Sequence, residues 1–420
     1  MTSGHPTSNY ARCRMPPGRR PRPHERTAEP EQFRDRRRRA SSYEVLNPSD
    51  FQLQRFAAVK NLMIAFQLLK QEGGQAPGVD GFDFHSFSSR EAWGVLRTVS
   101  NGIQAGNYIP DPVRIVEFPK PNGAMRRLSL QTLPDRTVAK ALLLCLNRFF
   151  RSHLPRYAQN PVRIYAQMQR TIRERQSFFI APDDIQNCFP NTQIALVLAC
   201  LRLHITEPTL LWLIESIIRG HEGPRHLIGL DQGSPFSPVA MECVLHHCLD
   251  VLLDAAHQGF TLFRYVDNLT FLCNSVREGE EALRISREIL AESGFRLKGE
   301  DGAPQDLRDP ECNKRVLALI PKWRSGQLEF SIPEKSFEDL HQGLQDCTDH
   351  PRPSNATRWV TNGWTNAVGP ALTNTVAPIV VDRIMDITRR IGIREVSRKE
   401  LLRTARNART RWLELARSFR

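Results

Sequence analysis

The chain has 420 residues, 40% hydrophobic and 25% charged, which suits one large core or two modest ones and excludes a peptide scaffold. Lys and Arg number 58 against 45 Asp and Glu, a formal net charge of +13 that points to a polyanionic partner or an anionic surface. No stretch approaches the roughly 18 apolar residues of a spanning helix, the first residues hold no apolar signal core, and nine cysteines form no C-x-x-C pair. A reduced, cytoplasmic protein without a membrane partner is therefore expected.

Residues 1–40 hold eleven arginines against four acids, with Pro16, Pro17, Pro21 and Pro23 and little that is apolar. Such a composition cannot offset the entropy of ordering, so a disordered basic tail is expected over residues 1–42. Helical periodicity follows in Phe56, Val59, Met63, Phe66 and Leu69. Alternating runs from Val113 to Phe118 and Met125 to Leu130, joined by Lys120-Pro121-Asn122-Gly123, predict a β-hairpin. Asp135 is placed to cap the next helix, whose apolar stripe is Val138, Leu142, Cys145, Leu146 and Phe149.

Ser177 to Ala181 is a short apolar run ending at Asp183-Asp184, and helical patterns occupy Ile194 to Leu203 and Leu210 to Ile218. Strand-like runs lie at Thr261 to Tyr265, Leu269 to Cys273, Val316 to Ile320 and Gln327 to Ile332. This alternation predicts an α/β or α+β core. After Pro333 the pattern is helical, ending in a basic helix from Ser397 to Phe419; residues 389–420 hold eleven basic residues against three acids.

Three segments carry chemistry. Thr261 to Cys273 reads as two apolar strands joined at a tight turn at Asp267-Asn268, which would lift Asp267 above a sheet edge. Asp184 ends another apolar run, and two strand-end aspartates side by side make a hard-oxygen site suited to Mg²⁺. Between them, Gly229 to Pro238 is a Gly/Ser/Pro loop that can serve as a platform for a base pair. Cys243, His246, His247 and Cys248 fall on one helix with the two histidines on different faces, which favours packing or exposure over a zinc site.

The order of these segments resembles the reverse transcriptase family, closest to the bacterial type of group II introns, retrons and related stand-alone enzymes. Asp184-Ile185-Gln186-Asn187-Cys188-Phe189 is similar to the motif with the first catalytic Asp, Gln232 to Pro238 to the template and nucleotide platform, and Tyr265-Val266-Asp267-Asn268 to the YxDD turn. Upstream, Pro77 to Gly81, Phe118 to Gly123 and Arg126 to Leu130 with Asp135-Arg136 resemble the family's fingers.

The resemblance implies an α+β right-hand polymerase: fingers over residues 43–140, a ferredoxin-like palm over 141–334 and a helical, basic thumb over 335–420. It implies RNA-directed DNA polymerase activity by two-metal phosphoryl transfer, with Asp184 and Asp267 catalytic and Asp184, Ile185, Asp267 and Asn268 at Mg²⁺, Mn²⁺ being the alternative. Lys120, Arg127, Phe189, Gln232 and Gly233 would meet the dNTP, Phe189 by blocking a ribose 2′-hydroxyl. Ser234, Pro235, Tyr265, Arg403, Arg406 and Arg409 would meet template and primer. An RNA template, a DNA product and, by family analogy, a dedicated non-coding RNA in phage defence complete the expectation; the rival is a non-catalytic RNA-binding protein that keeps the fold.

Departures are visible too. Asn268 stands where the family has a second turn carboxylate, and Asp231 where a small residue or Pro is usual. Gly294 to Lys298 resembles the next palm motif, whose usual lysine lies a few residues later, which makes Lys298 a weak proton donor. Asp183 is expected to be a solvated neighbour of Asp184.

Overall fold

The computed structural model describes residues 48–72, 76–119, 125–157, 159–256, 259–347 and 353–418. Lys120, the Asn122-Gly123 turn and the basic tail lie outside the described residues. The chain divides into two compact units, Met1–Tyr157 with Phe189–Val244, and Ala158–Cys188 with Leu245–Arg420.

In the first unit, α1 (Val59–Glu72) packs against α2 (Ser89–Gln104) and α3 (Leu133–His153). Strands β1 (Arg114–Pro119) and β2 (Met125–Leu130) pair antiparallel with Arg114 opposite Leu130, as their alternation predicts. The cap of α3 is Thr132 and not Asp135, because the Thr132 hydroxyl lies outside the first turn and accepts from the Asp135 amide. Asp135 turns inward, where Val138, Leu142, Cys145 and Leu146 of the predicted stripe are also buried. Helices α4 (Ile194–Arg202) and α5 (Pro208–Arg219) follow, and the unit ends at Val244, within α6 (Ser237–Leu245).

The second unit is built on a four-stranded antiparallel sheet. Its strands are β3 (Phe179–Asp184), β4 (Thr261–Tyr265), β5 (Asn268–Cys273) and β6 (Gln305–Asp306), in the order β4-β5-β3-β6. Helix α7 (Pro161–Arg175) precedes β3, and α8 (Val276–Glu292) covers β3 and β5. The close approach of α8 depends on Gly279, where a Cβ would lie 2.6 Å from the Pro304 side chain and 3.3 Å from Ala181 Cβ.

Val316 to Ile320 is not a strand. Val316 and Leu319 pair across a tight turn with Leu317 at φ +54°, and the strand begins at Ile320. Strands β7 (Ile320–Arg324) and β8 (Gln327–Ser331) form a hairpin. Helices α9 (Glu334–Gln345), α10 (Pro353–Ala367), α11 (Val376–Arg390) and α12 (Arg398–Ser418) complete the unit.

One apolar core joins the sheet to these helices, running from Ile180 and Leu272 through Tyr165 to Phe337, Val381 and Trp412. Tyr165 donates to the Val316 carbonyl at 2.8 Å, and Phe330 meets Tyr165 on one side and the edge of Trp412 on the other. Among the described residues no helix is long and apolar enough to cross a membrane.

Candidate active site

Strand pairing places the carboxylates. In the β3–β5 register Asp184 lies opposite Asn268, and in β4–β5 Tyr265 lies opposite Asn268, so the loop between β4 and β5 is Val266-Asp267. The turn therefore falls one residue earlier than the sequence suggests: Asn268 opens β5, while Asp267 sits at the tip. The Asp267 carbonyl accepts from the Ile185 amide at 3.0 Å, which ties the tip to the end of β3.

Asp184 and Asp267 are thus brought to one end of the sheet. Burial raises the Asp267 carboxyl above its ordinary range, and the Asp184 charge adds to the rise. Asn268 Nδ2 donates to Asp267 Oδ1 at 3.2 Å. Lys298 Nζ donates to Asp184 Oδ2 at 2.6 Å, and the Lys298 amide to the Asp184 carbonyl at 2.8 Å. Partial burial pushes the ammonium pKa down, but Asp184, Asp267 and Glu300 together lift it above the ordinary value.

Asp183 departs from expectation. It is 3% exposed, and its Oδ1 accepts from the Asp184 amide at 2.8 Å and the Gly299 amide at 3.1 Å. One buried carboxylate oxygen thereby fixes the backbone of Asp184 and of the residue after Lys298. Ile185 bridges to Leu297, and Gln186 donates to the Arg296 carbonyl, so Arg296 to Gly299 runs beside the end of β3.

The donor set fits a divalent cation. Two carboxylates of the same charge, one of them desolvated and both beside a carboxamide, share the ammonium of Lys298, which leaves negative charge for a hard cation to offset.

In the first unit the loop over residues 229–238 docks on β2. The Ser129 amide donates to the Gln232 carbonyl at 2.8 Å, and Gly233 has φ +129° with no room for a Cβ, which would stand 2.7 Å from the Ser129 carbonyl. Burial raises the Asp231 carboxyl, which the Ser129 hydroxyl contacts; the residue unusual at this position anchors the loop. Ser234 is buried and its hydroxyl accepts from the Phe236 amide, while Pro235 is half-buried. Half-buried Phe189 gives its carbonyl to the Leu230 amide at 2.9 Å.

The remaining predicted residues separate. Arg127 is exposed on β2 and pairs with Glu117 at 3.4 Å, and half-buried Tyr265 packs on the core of the second unit. Arg403 and Arg406 are exposed on α12. Arg409 is instead half-buried, its guanidinium donating to the Pro370 carbonyl, which takes it out of the exposed basic face. Cys243 and Cys248 are buried, and the rings of His246 and His247 meet edge to face, 4.9 Å between centroids.

Sequence reasoning passed over Arg264 and Asp250. The signal was an arginine inside the apolar strand Thr261 to Tyr265, since a charge is almost never fully buried unpaired.

Residues 118–300 match the family described as "Reverse transcriptase (RNA-dependent DNA polymerase)". This segment is similar to a reverse transcriptase domain. It contains β3, the loop over residues 229–238, the Val266-Asp267 turn and Lys298. The chain is 28% identical over 223 residues to Protein YkfC of Escherichia coli (strain K12), covering 50% of this chain and 58% of that protein. It is 26% identical over 204 residues to the Putative COX1/OXI3 intron 1 protein of Saccharomyces cerevisiae, covering 44% of this chain and 23% of that protein. The chain thus spans less than two thirds of the length of either relative.

Among solved structures, the Sicinivirus 3Dpol RNA-dependent RNA polymerase is similar with TM-score 0.47, 12% identity, 76% of this chain and 71% of that one. Telomerase from Candida albicans gives TM-score 0.40, 12% identity, 74% of this chain and 63% of that one.

Proposed function

We propose that the protein is an RNA-directed DNA polymerase. The observation that carries this reading is the meeting of Asp184 and Asp267 at the end of an antiparallel sheet inside a reverse transcriptase domain. Asp184 and Asp267, with the Ile185 carbonyl and Asn268, would hold Mg²⁺ or Mn²⁺; when bound, the cation activates the primer 3′-hydroxyl and offsets charge on the leaving pyrophosphate. Asp183 keeps the Asp184 backbone in place, and Lys298 Nζ holds the Asp184 carboxylate by a charge-assisted hydrogen bond.

By resemblance, Lys120 and Arg127 face the triphosphate, Gln232 and Gly233 the base pair, and Phe189 the 2′ position of the incoming sugar. The divisions into fingers (43–140), palm (141–334) and thumb (335–420), a dedicated non-coding RNA as template, phage defence as the setting and a cytoplasmic location belong to the same proposal. Sequencing the nucleic acid that co-purifies with the protein tests the template: one recurrent small RNA supports it, a random transcript population opposes it.

Asn268 favours one competing reading, a non-catalytic RNA-binding protein. Mg²⁺-dependent dNTP addition to a primed RNA template decides between them: addition by the wild-type chain supports the polymerase, and inert protein that still binds RNA supports the rival.

A further inference from the structure

Val266, immediately before Asp267, has φ +56°. A β-branched side chain is a genuine outlier in this left-handed region, and such a conformation persists only where its surroundings over-determine it. Buried charges contact this turn. Arg264 is among the largest fully enclosed side chains of the protein. Its Nη1 donates to the Val266 carbonyl at 3.0 Å, while Nε and Nη2 grip Asp250 Oδ1 at 2.9 Å and Oδ2 at 2.7 Å.

Asp250 closes a π-helical turn, His246–Asp250, and His246 Nδ1 stands 4.0 Å from its Oδ2. Single π turns widen a helix locally and recur at functional sites. Both side chains of the Asp250–Arg264 pair are 1% exposed or less. A buried ion pair is seldom more stabilising than apolar side chains of the same volume, so stability gives little reason to bury these charges. What an apolar pair could not supply is the third donor, aimed at Val266.

We propose that Asp250 and Arg264 are positioning residues that hold Val266 in its left-handed conformation and so fix the Asp267 carboxylate at the end of the sheet. The consequence for catalysis rests on the polymerase reading; the consequence for the turn does not. Rotation of the peptide after Val266 would carry Asp267 with it. On its other side the turn is held by the Ile185 amide on the Asp267 carbonyl, so the two ties act on neighbouring peptides.

The test is the double variant Arg264→Met/Asp250→Leu, which removes both charges together and leaves neither buried alone. The melting temperature should stay close to wild type, while kcat for dNTP addition falls by about tenfold to a hundredfold, the cost of a misplaced reacting group. The dNTP KM should stay within about threefold, since binding is not what the clamp serves. Adding Val266→Gly, which adopts positive φ without strain, should restore most of the lost kcat.

Amide exchange of Ile185 reads the turn without any activity: its protection should drop by about tenfold in the double variant, with Leu272 in the same sheet unchanged. Wild-type kcat and wild-type Ile185 protection in the double variant would overturn the clamp. If the wild-type chain adds no nucleotide, the polymerase reading fails and Ile185 exchange still decides the clamp. Arg264→Lys keeps a cation opposite Asp250 without the fork, so it should show the same losses if the double variant does not fold.

Discussion

Asp184 and Asn268 face each other across the β3–β5 ladder, and the Asp184 carboxylate is held by Lys298 at 2.6 Å. A neutral side chain therefore stands where a third carboxylate would join Asp184 and Asp267. Asn268→Asp restores that charge, and a hard divalent cation binds more tightly to three carboxylates than to two. The variant should keep or raise dNTP incorporation and lower the Mg²⁺ concentration giving half-maximal rate, measured by metal titration of primer extension. An unchanged or higher Mg²⁺ requirement would remove Asn268 from the metal site.

Phe189 is half-buried with its carbonyl committed to the Leu230 amide, so its backbone is fixed whatever its side chain does. Phe189→Ala should lower the ratio of dNTP to rNTP incorporation by removing bulk against the 2′-hydroxyl. Equal ratios in variant and wild type would make Phe189 a packing residue alone.

Asp135 supplies a pH dependence. Burial pushes its carboxyl up to about 7, although the hydroxyls of Thr132 and Tyr108 and the Asp111 amide all donate to it. An acid whose pKa rises on folding stabilises the fold below its unfolded pKa, and that contribution is lost as pH rises through the folded value. Stability should therefore fall between about pH 4 and pH 7 by this group's share. Asp135→Asn, neutral throughout, should flatten that slope in urea midpoints measured across the range. A wild-type slope in the variant would place the titration elsewhere.

The exposed pair Arg403 and Arg406 on α12 should pair with phosphates. Replacing both with Ala should weaken RNA binding alike across sequences and flatten the slope of log K against log salt by about 0.7 to 0.9 for each phosphate that is no longer neutralised. Arg409→Ala should instead act on stability, because its guanidinium serves the Pro370 carbonyl. Anisotropy over a salt series separates the two, and an unaltered slope for the double variant would assign those charges to solubility.

Much of the second unit's strand content was legible because its strands are short apolar runs bounded by polar residues: β4, β5 and β8 fall within a residue of where the pattern puts them, and β3 within three. The turn before Asn268 was misplaced by one residue because turn propensity favours Asp-Asn, whereas the observed loop needs positive φ at a valine that tertiary interactions enforce. Val316 to Ile320 has strand composition but turns at Leu317, a local choice that periodicity does not register. Asp183 read as solvated because the Gly299 amide that buries it lies 116 positions away in the chain. The two catalytic candidates were legible from spacing and resemblance; the residues that hold them, Asp183, Asp250 and Arg264, are defined by partners distant in sequence or by burial, or by both.

In the proposed function Asp184 and Asp267 act together as the metal-holding carboxylates of an RNA-directed DNA polymerase. Single-nucleotide addition to a DNA primer on an RNA template, by the wild type and by Asp184→Ala and Asp267→Ala with matched folding, tests it most directly. Mg²⁺-dependent addition by the wild type and loss to background in each variant are expected, since one carboxylate cannot organise the site. Undiminished addition by either variant would contradict it.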